Sequence, residues 1–375
     1  MTAEVFVSGF GVFGAFGFGP DALLAGAFAG TPAFRPVTRF DVSHCRTDRA
    51  ATWQDADAYF LDGRHDTGTV EVASACGRQA LDMAGLRGPA DVPLVLATKV
   101  RAPSLEPDSA AGTTARVADR LGLGTPRRTF VNACCAATNA LIHGAQLVGT
   151  GAAEAVLAGG AFLVDRQAFG LFDAAQALAA DGRLRPFDQD RKGVLLGDGA
   201  AMLLLESGKS LRARGAEPLA RLAGWAMTDD AFHVAKPHVE GAGAAAAVTG
   251  ALRRGGIGPD RLTYVNAHAT GTPLNDAAEA AGLHTALGDH TETVYVSGTK
   301  STTGHALEAS GALEAVISLL AIRSSVLPPT AGLDRPDTRH PLRHVTSPER
   351  IDVPYALSLN SSVGGVNAAI LLAAA

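Results

Sequence analysis

Disulfide pairs, a cationic leader, long apolar runs and an excess of basic charge are all missing from this 375-residue chain, and each absence removes a class of protein. Its four cysteines, Cys45, Cys76, Cys134 and Cys135, show no C-x-x-C spacing, which argues against a disulfide framework and against a zinc knuckle. No Lys or Arg precedes Arg35, so the basic opening of a secretory signal is wanting and the cytoplasm is the expected compartment. The longest uncharged stretch, residues 129–153, carries two Asn, a His, a Gln and three Thr, too many polar groups for a bilayer span. A net charge of -5 and a pI near 6.1 supply no basic field for nucleic acid. What is present is 47% apolar and 18% charged residues, a balance that suits a well-buried globular protein of one large domain or two ordinary ones.

Short β-rich runs bounded by glycine alternate with helical stretches. Residues 5–8, 93–98, 129–132, 155–158 and 200–205 read as strands, and 113–121 and 136–148 as helices. After a charged, loop-like stretch at 209–217 the alternation restarts, with strands at 219–223, 262–265, 294–297, 355–359 and 368–372. The second half repeats the plan of the first, which divides the chain into halves at 1–207 and 208–375. Residues 34–69 mix charges and aromatics without a period and read as an irregular surface insertion. Two strand-turn-helix units stand at matching places: FVNACCAATNALIHGAQLV from Phe130 and VSGTKSTTGHALEASGALEAVISLLA from Val296. Each sets a residue capable of chemistry where a strand hands over to a helix, the place where α/β proteins present functional groups.

Gly9, Gly11 and Gly14 satisfy G-x-G-x-x-G after a strand, but Gly17, Gly19 and Pro20 follow where a dinucleotide site needs a helix N-terminus. Asp188, Asp190 and Gly193 resemble part of a calcium loop, yet Lys192 takes a ligand position and Gly199 stands where the bidentate Glu belongs. Cys134 precedes a helix, whose dipole would lower its thiol pKa and make a nucleophile; the alternative is a small buried hydrophobe, the reading kept for Cys135. His268 lies in VNAHATGTP, before a helix from Leu274, and His305 in GTKSTTGH, before a helix that starts near Ala306. Two His and a Cys could also be a metal site, but no fourth ligand has convincing spacing, so no metal is expected.

Taken together, these segments resemble the β-ketoacyl synthases, the condensing enzymes of fatty-acid and polyketide synthesis, over residues 5–372. NACCAAT is similar to that family's nucleophile motif, and RPFDQDRKGVLLGDGAAMLLLE to its Arg-Pro-Phe-Asp and Gly-Asp-Gly block. VNAHATGTPLNDAAEA and GTKSTTGHALEASG resemble the two histidine motifs. The resemblance implies a thiolase-like five-layer αβαβα fold built from two duplicated halves. It implies catalytic Cys134, His268, His305 and Lys300, with Glu314 supporting Lys300 and Thr270 and Thr272 binding a phosphopantetheine arm. It also implies an oxyanion hole from the backbone N–H of Cys134 and of the loop near Val363 and Gly364. In such an enzyme a Cys thiolate holds the growing acyl group as a thioester. Two neutral imidazoles then stabilise the enolate left when a malonyl thioester loses CO2, with no bound cofactor. Substrates would arrive on the phosphopantetheine of an acyl carrier protein, the family norm being a dimer with itself or with a homologous subunit. Arg127, Arg128, Lys209, Arg212 and Arg214 cluster as candidates for a basic rim toward that acidic partner. No nucleic acid or membrane partner is expected.

The chain also departs from the family pattern. The gating loop is NSSVGGVN at 360–367, without the two phenylalanines usual there, and Phe162 stands in AGGAF where Glu is common. The region before Cys134 is shorter than usual. These changes point to a specialised synthase. They leave open an acyltransferase or cyclase using Cys134 without decarboxylation, and a non-catalytic chain-length partner.

Overall fold

The computed structural model describes residues 3–54, 65–86, 91–99, 110–124 and 127–375. One motif is built twice. In its first copy, strand β1 (Val5–Gly14) is followed by α1 (His65–Met83), β2 (Leu94–Ala97), α2 (Ala110–Leu121), β3 (Arg127–Phe130), α3 (Ala136–Gly149), β4 (Ala155–Phe162) and β5 (Gly199–Ser207). The second copy runs β6 (Ala220–Asp229), α4 (Ala242–Gly255), β7 (Tyr264–Asn266), α5 (Pro273–Leu287), β8 (Tyr295–Ser297), α6 (Ser310–Ser324), β9 (Tyr355–Ser361) and β10 (Val366–Ala373). Hydrogen bonding orders the strands β3-β2-β4-β5-β1 and β8-β7-β9-β10-β6, with parallel and antiparallel pairs in the same places in both. A short antiparallel contact between β1 and β6, Phe6 opposite Arg221 and Val7 opposite Ala220, joins the two.

Three apolar clusters fill the spaces between layers. One lies between α1, α2 and the first sheet, another between α4, α5 and the second, and the largest surrounds α3 and α6 between the sheets. This is the expected five-layer αβαβα arrangement. The central helix α6 shows why: SGALEAVISLLAI is buried all round, and a helix apolar on every side belongs inside a large protein.

The glycines of the first strand have a packing role. A Cβ on Gly9 would lie 2.1 Å from Ala80 O, and one on Gly11 would lie 2.0 Å from Cys76 O, so their absence lets α1 lie directly on β1. The small residues that α1 needs for this approach blur its helical pattern, and the sequence reading passed over it. Two other expectations change. Residues 209–217 are no loop: a helix over Gly208–Arg214 begins there, capped by Ser207, whose Oγ accepts from Ser210 N–H. Nor are the described residues 34–54 a surface insertion, because Phe34, Phe40 and Val42 pack on the central core and the Arg39 side chain is only 2% exposed. Residues 55–64 of that stretch, and 100–109 and 125–126 of the short region before Cys134, lie outside the described residues.

Candidate active site

Four turns at one end of the central helices carry the candidate residues. Cys134 sits in a 3₁₀ turn, Ala133–Cys135, between β3 and α3. His268 follows β7, and Lys300 opens the short helix Lys300–Thr303 after β8. His305 follows that helix, and the long helix expected near Ala306 begins only at Ser310, after a second 3₁₀ turn, Leu307–Ala309. Positive φ at non-glycine residues marks three of these turns: Ala133 at 52°, Ala269 at 44° and Leu307 at 39°. Each such residue costs about 1–3 kcal/mol, strain that persists only where the surroundings fix it. The His305 main chain is clamped by its N–H donating to Leu195 O at 2.8 Å and its carbonyl accepting from Gly197 N–H at 3.0 Å. Gly197 belongs to the Gly-Asp-Gly block, and a Cβ there would come within 2.1 Å of Thr303 O.

These turns bring the Cys, both His and the Lys together. His305 Nε2 lies 3.0 Å from Cys134 Sγ, and the two imidazoles meet edge to face, centroids 5.4 Å apart at 84°. Lys300 Nζ lies 3.3 Å from His268 Nδ1, donates to His268 O at 2.6 Å and pairs with Glu314 Oε1. A lysine ammonium has three donors and no acceptor, so beside it His268 Nδ1 is an acceptor. The His268 proton is therefore on Nε2, which becomes a donor. His305 Nδ1 is fixed by Ser310 Oγ at 2.8 Å.

Burial dominates the electrostatics. It holds both imidazoles well below the ordinary histidine range, helped by the Lys300 charge, so both are neutral at pH 7. It also pushes the Cys134 thiol up to about 12, with Glu308 adding to the rise and Lys300 opposing it. The thiolate expected from the helix terminus is thus overridden in the resting protein, where a thiol faces a neutral imidazole. Glu314 is raised by burial although Lys300 and Asn360 both bind it.

Several supports were not visible in the sequence. Glu279 on α5 accepts from His268 N–H at 2.5 Å and Ala269 N–H at 2.7 Å, and burial pushes its carboxyl up to about 8. Asn360 links the gate loop to the ion pair, donating to Glu314 Oε2 at 2.6 Å and accepting from Thr138 Oγ1 at 2.5 Å. Cys135 is buried as expected, but its Sγ also lies 3.3 Å from both Asn360 O and Val366 O, at the base of the same loop. Asp198 accepts from both Arg39 guanidinium nitrogens, from Trp53 N–H at 3.0 Å and from Val164 N–H at 2.8 Å. Asp188, once a calcium-loop candidate, accepts from Asp190 N–H at 2.8 Å, Asp334 N–H at 3.0 Å and Arg335 N–H at 2.7 Å, which organises the loop without an ion. The only sequence signal for Glu279 and Asn360 was their place within quoted motifs.

The remaining candidates are less tightly placed. Thr270 and Thr272 bond each other at 2.9 Å beside His268, and Thr272 stands at the N-cap of α5 without a side-chain cap bond. Val363 is 62% exposed at the tip of the gate loop, where Gly364 and Gly365 both take positive φ. The loop closes through Ser362 N–H to Val366 O and Gly365 N–H to Ser362 O, bonds that use neither the Val363 nor the Gly364 N–H. Among the basic-rim candidates, Arg127 pairs with Asp119, Lys209 with Glu154 and Arg214 with Glu206. Phe162 is buried at the end of β4. The donor atoms of Cys134, His268 and His305 lie within 4.8 Å of one another, a spacing that zinc would accept. The Lys300 ammonium against His268 disfavours a divalent cation there. No helix among the described residues is long and apolar enough to cross a membrane.

Fold and site together define a thiolase-like protein in which a buried cysteine and two histidines meet. Comparison with known proteins gives the family. Residues 72–210 match the description "Beta-ketoacyl synthase, N-terminal domain" and residues 219–334 "Beta-ketoacyl synthase, C-terminal domain". The chain is 32% identical over 405 residues to the 3-oxoacyl-[acyl-carrier-protein] synthase 2 of Coxiella burnetii, covering 98% of each protein. It is 39% identical over 272 residues to the protein of the same description from Synechocystis, a match spanning 71% of this chain and 65% of that relative. Among solved structures, the ishigamide ketosynthase/chain length factor superposes with a TM-score of 0.89 at 29% identity over the full length of both chains. A β-ketoacyl synthase from Burkholderia phymatum gives 0.88 at 26%, again over both full lengths. The chain belongs to the β-ketoacyl synthase family and, with it, to the acyltransferases that form carbon-carbon bonds.

Proposed function

We propose that this protein condenses an acyl group held on Cys134 with a malonyl thioester delivered on the phosphopantetheine of an acyl carrier protein. The observation that carries this reading is the convergence of Cys134, His305 and His268 on one buried point, with Lys300 fixing the His268 tautomer. In the first half-reaction Sγ attacks the incoming thioester, a new S–C bond forms and the carrier thiol leaves. His305 Nε2, 3.0 Å from Sγ, takes the thiol proton and returns it to the leaving thiolate. Such a relay is needed because a thiol held near 12 is scarcely ionised at pH 7.

In the second half-reaction the malonyl C–COO⁻ bond breaks, CO2 departs and its electron pair becomes a thioester enolate. The Nε2–H of His268 donates to that oxygen in a site closed to water, joined by His305 in the tautomer that carries its proton on Nε2 while Nδ1 accepts from Ser310 Oγ. The enolate carbon attacks the acyl-Cys134 carbonyl, whose oxyanion is received by the N–H of Cys134 and of the Val363–Gly364 segment. The S–C bond then breaks, the β-ketoacyl product is released, and the Cys134 thiolate takes a proton from water to return to the thiol. Thr270 and Thr272 would bind the pantetheine arm. The steps ask for no metal or redox cofactor.

Carrier protein and a second ketosynthase-type subunit are the partners we infer. One structural neighbour is described as an acyl-carrier protein in complex with its ketosynthase, at 22% identity, and the ishigamide one as a ketosynthase/chain length factor. Intact-mass spectrometry with an acyl donor and then malonyl carrier protein tests the reading beside Cys134→Ala. Acylation that requires Cys134, followed by an extended product and loss of CO2, is the expected result. Acylation without extension would favour a transferase or cyclase, and none with several donors a chain-length partner.

A further inference from the structure

Glu308 has no part in the chemistry described above. It lies in the 3₁₀ turn Leu307–Ala309, which packs against the turn carrying Cys134. The residue is 8% exposed, and its Oε2 is buried without a hydrogen-bond partner among the described residues. The carboxyl lies within electrostatic reach of Cys134 and of the Lys99–Asp165 pair. The Lys99 ammonium is already answered by Asp165, 2.8 Å from both carboxylate oxygens. The main chain of this turn packs on β4, where a Cβ on Gly160 would lie 2.9 Å from the Glu308 backbone carbonyl.

A buried carboxyl oxygen with no partner is costly, and burying an apolar side chain in its place would cost the fold nothing of that kind. Such a group persists where a ligand completes it. We infer that Glu308 is a specificity-determining residue that hydrogen-bonds an oxygen substituent, hydroxyl or keto, on the first few carbons of the acyl chain held by Cys134. This rests on the acyl-Cys134 reading above. Burial raises the carboxyl above its ordinary value, which favours the neutral acid, the form that can donate to a keto oxygen as well as accept from a hydroxyl. A site that reads an oxygen in this way discriminates against the analogue without it, because the plain chain leaves the buried acid unpaired.

The test compares 3-hydroxybutanoyl, acetoacetyl and butanoyl thioesters of N-acetylcysteamine as donors, following acylation of Cys134 by intact mass. In the wild type at least one oxygenated donor should react ~10-fold or more faster than butanoyl. Glu308→Leu should bring that ratio near one, and Glu308→Gln, which keeps donor and acceptor, should retain part of it. A ratio within one preparation is independent of how much protein is folded. Without ligand, Glu308→Leu should also raise Tm, whereas a structural carboxylate would lower it on removal. Equal rates for all donors in the wild type, or a ratio unchanged in Glu308→Leu, would overturn the inference alone. Absence of acylation from every donor would overturn the acyl-Cys134 reading and this one with it.

Discussion

Replacing Glu314 by Ala removes the carboxylate paired with Lys300, whose side chain is 1% exposed against 2% for Glu314. The ammonium would be left in the core with carbonyl and imidazole contacts but no counter-charge, and Asn360 Nδ2 would lose its acceptor. Breaking one side of a buried pair typically costs about 3–5 kcal/mol. At ~2.1 cal/mol/K of unfolding entropy per residue, a chain of 375 residues has roughly 0.8 kcal/mol/K, so Tm should fall by about 4–6 °C. Decarboxylation of malonyl thioester should fall about 10²- to 10³-fold as the Lys300–His268 contact is lost. The double variant Lys300→Met/Glu314→Gln neutralises both charges while still giving Asn360 an acceptor. It should recover most of the Tm and none of the decarboxylation. Calorimetry and CO2 release on the same preparations check both. A Glu314→Ala protein within about 1 °C of wild type, or a double variant that regains activity, would refute the claim that this pair positions His268.

Other outcomes follow from the same geometry. Because burial pushes Cys134 up to about 12, alkylation by iodoacetamide should climb nearly tenfold per pH unit through pH 10; a plateau near pH 8 would show a thiolate stabilised by the helix terminus instead. His268 and His305 titrate well below the roughly 6.5 of an unfolded chain, so below that pH the unfolded state binds more protons and their contribution to stability falls on acidification, opposed by Glu279, whose carboxyl near 8 contributes in the other direction. Urea unfolding from pH 5 to 8 should show the histidine contribution as a difference in slope between the wild type and His268→Gln/His305→Gln; identical slopes would mean the imidazoles are charged in the fold. Gly11→Ala should lower Tm sharply, since its Cβ would sit 2.0 Å from Cys76 O and lift α1 from β1, whereas Gly151→Ala, with open space but a φ of 77°, should cost only the backbone strain.

The candidate site was legible because its chemistry is written in short runs of chain. NACCAAT, VNAHATGTP and GTKSTTGH each place a reactive residue at a strand-to-helix passage, and a local geometric rule finds such places from one segment at a time. Repetition of those passages in both halves also announced the duplicated α/β architecture. Elements whose pattern serves a distant partner stayed hidden. Helix α1 is spaced with small residues to lie on Gly9 and Gly11, and the segment around Arg39 looks polar until Asp198, 159 positions away, is placed beside it. Sequence alone therefore determined which residues could do chemistry and on what fold. Tertiary structure decided their protonation, because the burial that makes Cys134 a thiol and the histidines neutral comes from layers far apart in the chain. It also decided their supports, since Glu279, Asn360 and Ser310 act through contacts that no periodicity encodes.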